Sequence, residues 1–264
     1  MEIKSLSIDM QQTFGKRLLL PRYKKLFEKI NPEQIETDFM LIGIPASFEG
    51  NKLLAGISYY AFSIAKKLHL GLPAEFGIRK TPQNSIAQSW FNRDKKEHVF
   101  RHLGVQYGRN RVFSTVGRLA AHMRGEADTF GTSHIMNIPL HEILHCDLFD
   151  KIGKKYSYWH MKWDNVINKK FSKIDISPFE AEINDKIGTY GTTDAIELHA
   201  VYWAKEICRA LNSNFGLKYN PFETPKIKLS SLLREFIDKI TQADYKGAVA
   251  VSKQAKKLQK SAQV

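Results

Sequence analysis

The sequence predicts an α+β fold in which helices cover a small twisted sheet. Three observations predict it: an amphipathic helix over residues 51–69, a β-rich stretch over 74–116, and helical patterns that return after residue 138. The chain has 264 residues, of which 43% are hydrophobic and 25% charged. This balance is that of a globular protein with a sizeable core, and it argues against wholesale disorder.

The first helix and the strands are indicated by different periodicities. The helix has apolar residues at helical spacing, at Leu53, Leu54, Ile57, Tyr60, Ala61, Ile64, Ala65 and Leu68. Gly71 and Pro73 are expected to stop it. The strands are short runs between turn residues, at Glu75–Arg79, Ile86–Phe91, His98–Leu103, Arg111–Thr115 and Ser133–Asn137.

A second helix is predicted over residues 138–150. Pro139 suits its first turn, and Gly153 is expected to end it. Its apolar face is formed by Ile143, Leu144, Leu148 and Phe149.

The following segment alternates helix and loop. A helix is expected over 162–171, a loop over 175–188 and a further helix over 193–211. Thr193 is the candidate N-cap of that last helix, and Asp194 is favourable in its first turn.

The strong positive charge favours anionic partners. Forty Lys and Arg against 27 Asp and Glu give a net charge of +13, which favours nucleic acid or another anionic partner on a basic surface.

No apolar run is long enough for a membrane span, and the first residues lack the apolar core of a signal peptide. Only Cys146 and Cys208 occur, so we expect a reducing, cytoplasmic location.

The second predicted helix contains the segment His141-Glu142-Ile143-Leu144-His145. Residues four apart lie on one helical face, so both imidazoles can reach one metal ion. Glu142 points to the same neighbourhood, where it can take a proton from a water that zinc has made more acidic. The segment therefore predicts a zinc site with Glu142 as general base.

A catalytic zinc needs a third protein ligand. Two residues are candidates: Glu197, near the start of the helix over 193–211, and His160, in the segment Tyr158-Trp159-His160. His134 lies on the strand predicted before the helix over 138–150, which is named here the metal helix. It is a candidate to contact a metal ligand or the substrate. His199 is expected at the surface, because it lies off the face that carries Glu197.

The order of these residues resembles a known group. His-Glu-x-x-His followed by Tyr-x-x-Thr-[Asn/Asp]-x-x-Glu-x-x-Ala is similar to the glutamate-zincins related to anthrax lethal factor and the Mlc titration factor peptidases. The matching positions are His141, Glu142, His145, Tyr190, Thr193, Asp194, Glu197 and Ala200. The likeness covers roughly residues 130–210, and Leu198 and His199 depart from the aromatic pair usual after the ligand glutamate.

The resemblance implies a zincin-like zinc metallopeptidase that hydrolyses peptide bonds in a protein or peptide substrate. It implies that His141, His145 and Glu197 hold Zn²⁺, that Glu142 is the general base, and that Tyr190 stabilises the oxyanion. On this basis the chain divides into a basic lead-in over 1–50, a catalytic domain over 51–245 and a basic tail over 246–264.

Two other functions stay open from the sequence. The distance from His145 to His160 resembles that in the SprT-like proteases, which use three histidines and act on proteins bound to DNA. The other alternative is a non-enzymatic basic protein that binds nucleic acid.

Overall fold

The computed structural model describes residues 30–79, 87–93, 101–108, 137–156, 167, 169–214 and 227–262. The described helices are α1 (Pro32–Leu41), α2 (Lys52–Lys67), α3 (Asn137–Tyr156), α4 (Ala195–Asn214), α5 (Ser231–Thr241) and α6 (Tyr245–Ser261). The described strands are β1 (Ala46–Ser47), β2 (Glu75–Arg79), β3 (Ala87–Arg93) and β4 (Arg101–Gly108). Helices and one small sheet occur together, which confirms the mixed fold class.

The four strands form one sheet in the order β1-β2-β4-β3. β1 and β4 both run parallel to β2, whereas β3 runs antiparallel to β4. β3 has no second partner strand among the described residues, so one row of its backbone groups is available to side chains of α3.

The first core cluster lies between the sheet, α1, α2 and the inner faces of α3 and α4. Leu54, Ile57 and Ile64 of α2 are fully buried, as the predicted amphipathic pattern requires. Phe39 of α1 is also buried, and it packs edge-on against Phe62 at a centroid distance of 5.1 Å.

The second core cluster joins the outer faces of α3 and α4 to α5 and α6. The sequence analysis places a basic tail over residues 246–264. Most of it is the helix α6, which buries Ala248, Val251 and Ala255 in this cluster and leaves its lysines exposed. The proposed domain boundaries at residues 50 and 245 stay predictions.

The metal helix over 138–150 and one strand end later than the sequence predicts. Gly153 was expected to end the metal helix, but α3 continues to Tyr156. The Tyr156 hydroxyl donates to the carbonyl of Ala243 at 2.9 Å, and this tertiary contact offsets part of the cost of about 1 kcal/mol of one helical glycine. The strand predicted at His98–Leu103 corresponds to β4, which ends at Gly108.

The expected loop over 175–188 instead contains short helical turns. They are Ser177–Phe179, Glu180–Glu182 and Ile183–Ile187. Phe179, Ile183 and Ile187 are buried at intervals of four residues, a helical spacing that the loop assignment overlooked.

Other predicted elements lie outside the described residues. They are the strand Arg111–Thr115, residues 133–136 of the strand before the metal helix, and most of the helix over 162–171. Asn137, expected to end that strand, is the first residue of α3. Within the described part of the chain, no helix is both long and apolar enough to cross a bilayer.

Candidate metal centre

Three side chains from two helices converge at the centre of the candidate site. His141 and His145 lie one turn apart on α3, and their Nε2 atoms are 3.0 Å apart. Glu197 Oε2, from the first turn of α4, lies 3.1 Å from Nε2 of His141 and 3.3 Å from Nε2 of His145. The structure therefore brings together the two sequence-predicted histidines and one of the two candidates for the third ligand.

The triangle of donor atoms fits a single metal ion. Ligand atoms about 2.0–2.1 Å from a tetrahedral ion lie about 3.3 Å from one another. The three observed separations are close to this value, and these atoms form a group that could hold a metal ion. Two imidazoles and a carboxylate with an open side are the donor set that catalytic zinc uses.

The close approach of α3 and α4 makes this convergence possible. Ala200 and Ala204, on the same side of α4 as Glu197, are fully buried in the first core cluster. Their small side chains let the two helix backbones approach each other.

The start of α4 is fixed by Asp194 rather than by Thr193. Asp194 Oδ1 accepts the backbone N–H groups of Ile196 at 2.8 Å and Glu197 at 2.9 Å. The hydroxyl of Thr193 instead donates to the carbonyl of Tyr190 at 2.9 Å. The predicted N-cap was therefore wrong by one residue, and burial raises the pKa of the Asp194 carboxyl that takes its place.

Glu142 joins the metal helix to the sheet. Its side chain is 9% exposed, and Oε2 accepts the backbone N–H of Ser89 on β3 at 2.5 Å. This contact with the open side of β3 orients the carboxylate in the cleft that also contains His141, His145 and Glu197.

The site opens into a cleft of about 290 Å³. One wall is β3, through Ala87, Gln88 and Ser89, and the other is formed by α3 and the residues around the start of α4. Phe149 lies in the wall and stacks on His145 at a centroid distance of 5.8 Å and an interplanar angle of 18°. This stack restricts rotation of the imidazole.

Tyr190 lies at the mouth of the cleft, on the short helical turn Thr189–Thr192. Its ring centroid is 5.9 Å from that of His141, and the residue is 40% exposed. Partial burial, together with the negative charge of Glu197, raises the pKa of Tyr190 to about 12. The phenol is consequently a hydrogen-bond donor across the neutral range.

His145 and Glu197 each shift the pKa of the other. Burial disfavours the charged imidazole of His145, but the charge of Glu197 and its hydrogen bond outweigh this and raise the pKa of His145. Burial likewise acts to raise the pKa of Glu197, yet His145 and His141 hold it well below its usual range. Glu197 is therefore an anion whose charge is directed at both imidazoles.

His199 is not at the surface. It is fully buried, and neither of its ring nitrogens has a hydrogen-bond partner in the described structure. Burial, together with the positive charge of Lys151, holds the pKa of His199 well below its ordinary value. The surface prediction failed because α4 packs on both core clusters and leaves almost no exposed face.

The sequence analysis missed the roles that three residues have in the site. Phe149 lies four residues after His145, and Asp194 lies three before Glu197, so both could have been found from helical spacing and capping preference. The Ser89 contact with Glu142 joins residues 53 positions apart, and nothing local in the sequence signals it.

Three further residues named in the sequence analysis do not contribute to the described site. Cys146 is buried, and burial raises the pKa of its thiol well above its usual value. His134 and His160 lie outside the described residues.

Comparisons of the chain with protein-family models, with curated proteins and with solved structures find no match.

Proposed function

We propose that this chain is a zincin-like, zinc-dependent metallopeptidase that hydrolyses peptide bonds. The observation that carries the proposal is the convergence of His141, His145 and Glu197 on one point, with Glu142 in the same cleft. A zinc ion bound there would lower the pKa of water to about 7 and polarise a carbonyl group.

The other residues have defined tasks in this reaction. The Glu142 carboxylate accepts the proton of the attacking water and then delivers it to the leaving amine. The Tyr190 hydroxyl donates a hydrogen bond to the oxyanion that develops on the scissile carbonyl. Phe149 and Asp194 keep His145 and Glu197 in place.

Zinc is favoured over iron by the residues around the ligands. Two histidines and a carboxylate also form the facial triad of iron oxygenases. A carboxylate that is 9% exposed and oriented by a strand N–H, as in Glu142, is the proton acceptor that hydrolysis needs. An extended peptide bound in this cleft, alongside β3, would have its amide near Glu142.

The test combines metal analysis with a cleavage assay. The purified chain should contain about one zinc per molecule, and a peptide library should yield a cleaved sequence. Glu142→Gln should keep its zinc and lose turnover by about 10² or more, because the amide cannot accept the proton. Glu180→Gln, at an exposed glutamate of the short helical turn Glu180–Glu182, is the matched control. Undiminished turnover in Glu142→Gln, or a protein that takes up iron instead of zinc, would refute the proposal.

A further inference from the structure

The outer face of α6 carries a stripe of lysines that the proposed chemistry does not use. Helix α6 contains five lysines and no acidic residue. At 100° per residue, four of them fall within about 60° of one another around the helix axis. These four, named here the lysine stripe, are Lys246, Lys253, Lys257 and Lys260, and all are exposed.

The helix beneath the stripe is firmly attached to the protein. Its opposite face buries Ala248, Val251 and Ala255. Ser252 Oγ donates to the carbonyl of Asp175 at 2.6 Å, and Gln259 Nε2 donates to the carbonyl of Pro178 at 2.7 Å. The lysine stripe is therefore held on a rigid support, unlike lysines on a free tail.

The charges of the stripe are available to a partner. Lys256, the fifth lysine, lies beside the stripe and pairs with Asp175 at 2.9 Å. In the part of the chain that the structure describes, no carboxylate lies within 4.0 Å of the four stripe ammonium groups. With a rise of 1.5 Å per residue, the stripe extends about 21 Å along the helix.

A long, straight row of cations fits a rod-like polyanion. Duplex DNA carries one negative charge per about 1.7 Å of its axis, so about 12 phosphate charges lie along a stripe of this length. An anionic membrane fits less well, because surface-binding helices insert an apolar face and the apolar face of α6 is buried in the core. Single strands are favoured by stacking aromatic side chains, and none occurs between Lys246 and Lys260.

We infer that the lysine stripe of α6 binds the phosphate backbone of double-stranded nucleic acid, without regard to base sequence. The inference is independent of the proposed peptidase activity, because it concerns a different surface and its test measures binding alone.

The experiment measures the binding of the full chain to a fluorescent 20-bp duplex DNA by anisotropy, between about 50 and 200 mM salt. The triple variant Lys253→Gln, Lys257→Gln, Lys260→Gln should lower the slope of log K against log salt by about 2–3, since each lost phosphate contact removes about 0.9. Affinity near 100 mM salt should fall by at least about tenfold. Glutamine is a good helix former, so α6 should persist, and circular dichroism checks this.

A matched variant removes the same charge elsewhere. Lys52→Gln, Lys66→Gln, Lys67→Gln changes three lysines of α2, which packs in the first core cluster rather than the second. It should leave the slope unchanged. Equal losses in both variants, an unaffected stripe variant, absence of duplex binding, or preference for phosphatidylserine vesicles over the duplex would each overturn the inference.

Discussion

The Asp194 carboxylate accepts the backbone N–H of Glu197 at 2.9 Å, so the N-cap of α4 and the third candidate ligand belong to the same helical turn. The cap satisfies N–H groups that would otherwise lack partners at the buried start of the helix. It also fixes the backbone from which Glu197 reaches the two imidazoles. The position of this candidate ligand therefore depends on a residue that is not one of the three converging side chains.

Removal of this cap should weaken both the fold and the site. Asp194→Ala should cost about 1 kcal/mol of unfolding free energy and lower zinc affinity about 10–100-fold. Asp194→Asn keeps the acceptor oxygen, so it should retain most of the unfolding free energy and most of the zinc affinity. Denaturant unfolding and zinc titration against a chelator measure the two effects. Thr193→Ala serves as the control. A larger effect of Thr193→Ala than of Asp194→Ala would show that Thr193 is the N-cap.

The identity of the third ligand can be tested by metal content. Glu197→Ala removes the carboxylate that lies 3.1 Å and 3.3 Å from the imidazole nitrogens, and it should lose most bound zinc. His160→Ala should keep its zinc. Mass spectrometry of the metal in both purified variants decides the matter. Loss of zinc from His160→Ala with retention in Glu197→Ala would favour the SprT-like alternative.

The elements that hold the site were largely predictable, because strong periodicity specifies them. The His-x-x-x-His spacing on a helix with an apolar face places His141 and His145 together without any tertiary information. Glu197 could be proposed only through a motif and a family resemblance, since its distance to the histidines depends on how α3 and α4 pack.

What the sequence could not provide were contacts between distant segments. The poor helix propensity of Gly153 predicts that α3 ends there. The hydrogen bond that extends α3 beyond it joins Tyr156 to Ala243, which is 87 positions away along the chain. Likewise, the exposure of His199 cannot be judged from one helix, because neighbours on both sides bury it. The local sequence predicts helix propensity and side-chain spacing. The end of α3 and the burial of His199 depend on tertiary packing instead.

The burial of His199 should be measurable as a stability cost. His199→Leu replaces a buried ring whose nitrogens lack partners by an apolar side chain of similar size. We expect unfolding free energy to rise by about 1 kcal/mol at pH 8. The folded-state pKa of His199 lies below its unfolded value, so the unfolded chain takes up its proton first as the pH falls below about 6.5.

The advantage of His199→Leu should therefore grow on the acid side. The parent should lose up to about 1.4 kcal/mol per pH unit relative to the variant below pH 6.5. Urea unfolding of both proteins at pH 8.0 and 5.5, with metal chelated, gives the difference directly, because titration of His145 and Glu197 is common to both. A variant that is less stable than the parent at both pH values would show that the ring has a partner.

Tyr190 offers the sharpest test of the proposed chemistry. A phenol at the mouth of the cleft binds the tetrahedral oxyanion more strongly than the ground-state carbonyl, so Tyr190→Phe should lower kcat more than it raises KM. The expected loss is about 10–10³-fold. Because the pKa of Tyr190 is about 12, the hydroxyl stays protonated up to about pH 10. The two proteins are therefore compared near neutral pH, where the phenol is protonated.

The matched control for Tyr190→Phe lies on the same turn. Thr189→Ala changes an exposed neighbour, and both variants should keep the fold and the zinc content of the parent. Steady-state kinetics on the peptide found by the library screen compares the three proteins. If Tyr190→Phe is as active as the parent, or if Thr189→Ala is equally impaired, then Tyr190 only shapes the turn around Gly191, and the assignment of an oxyanion donor fails while the metal site remains.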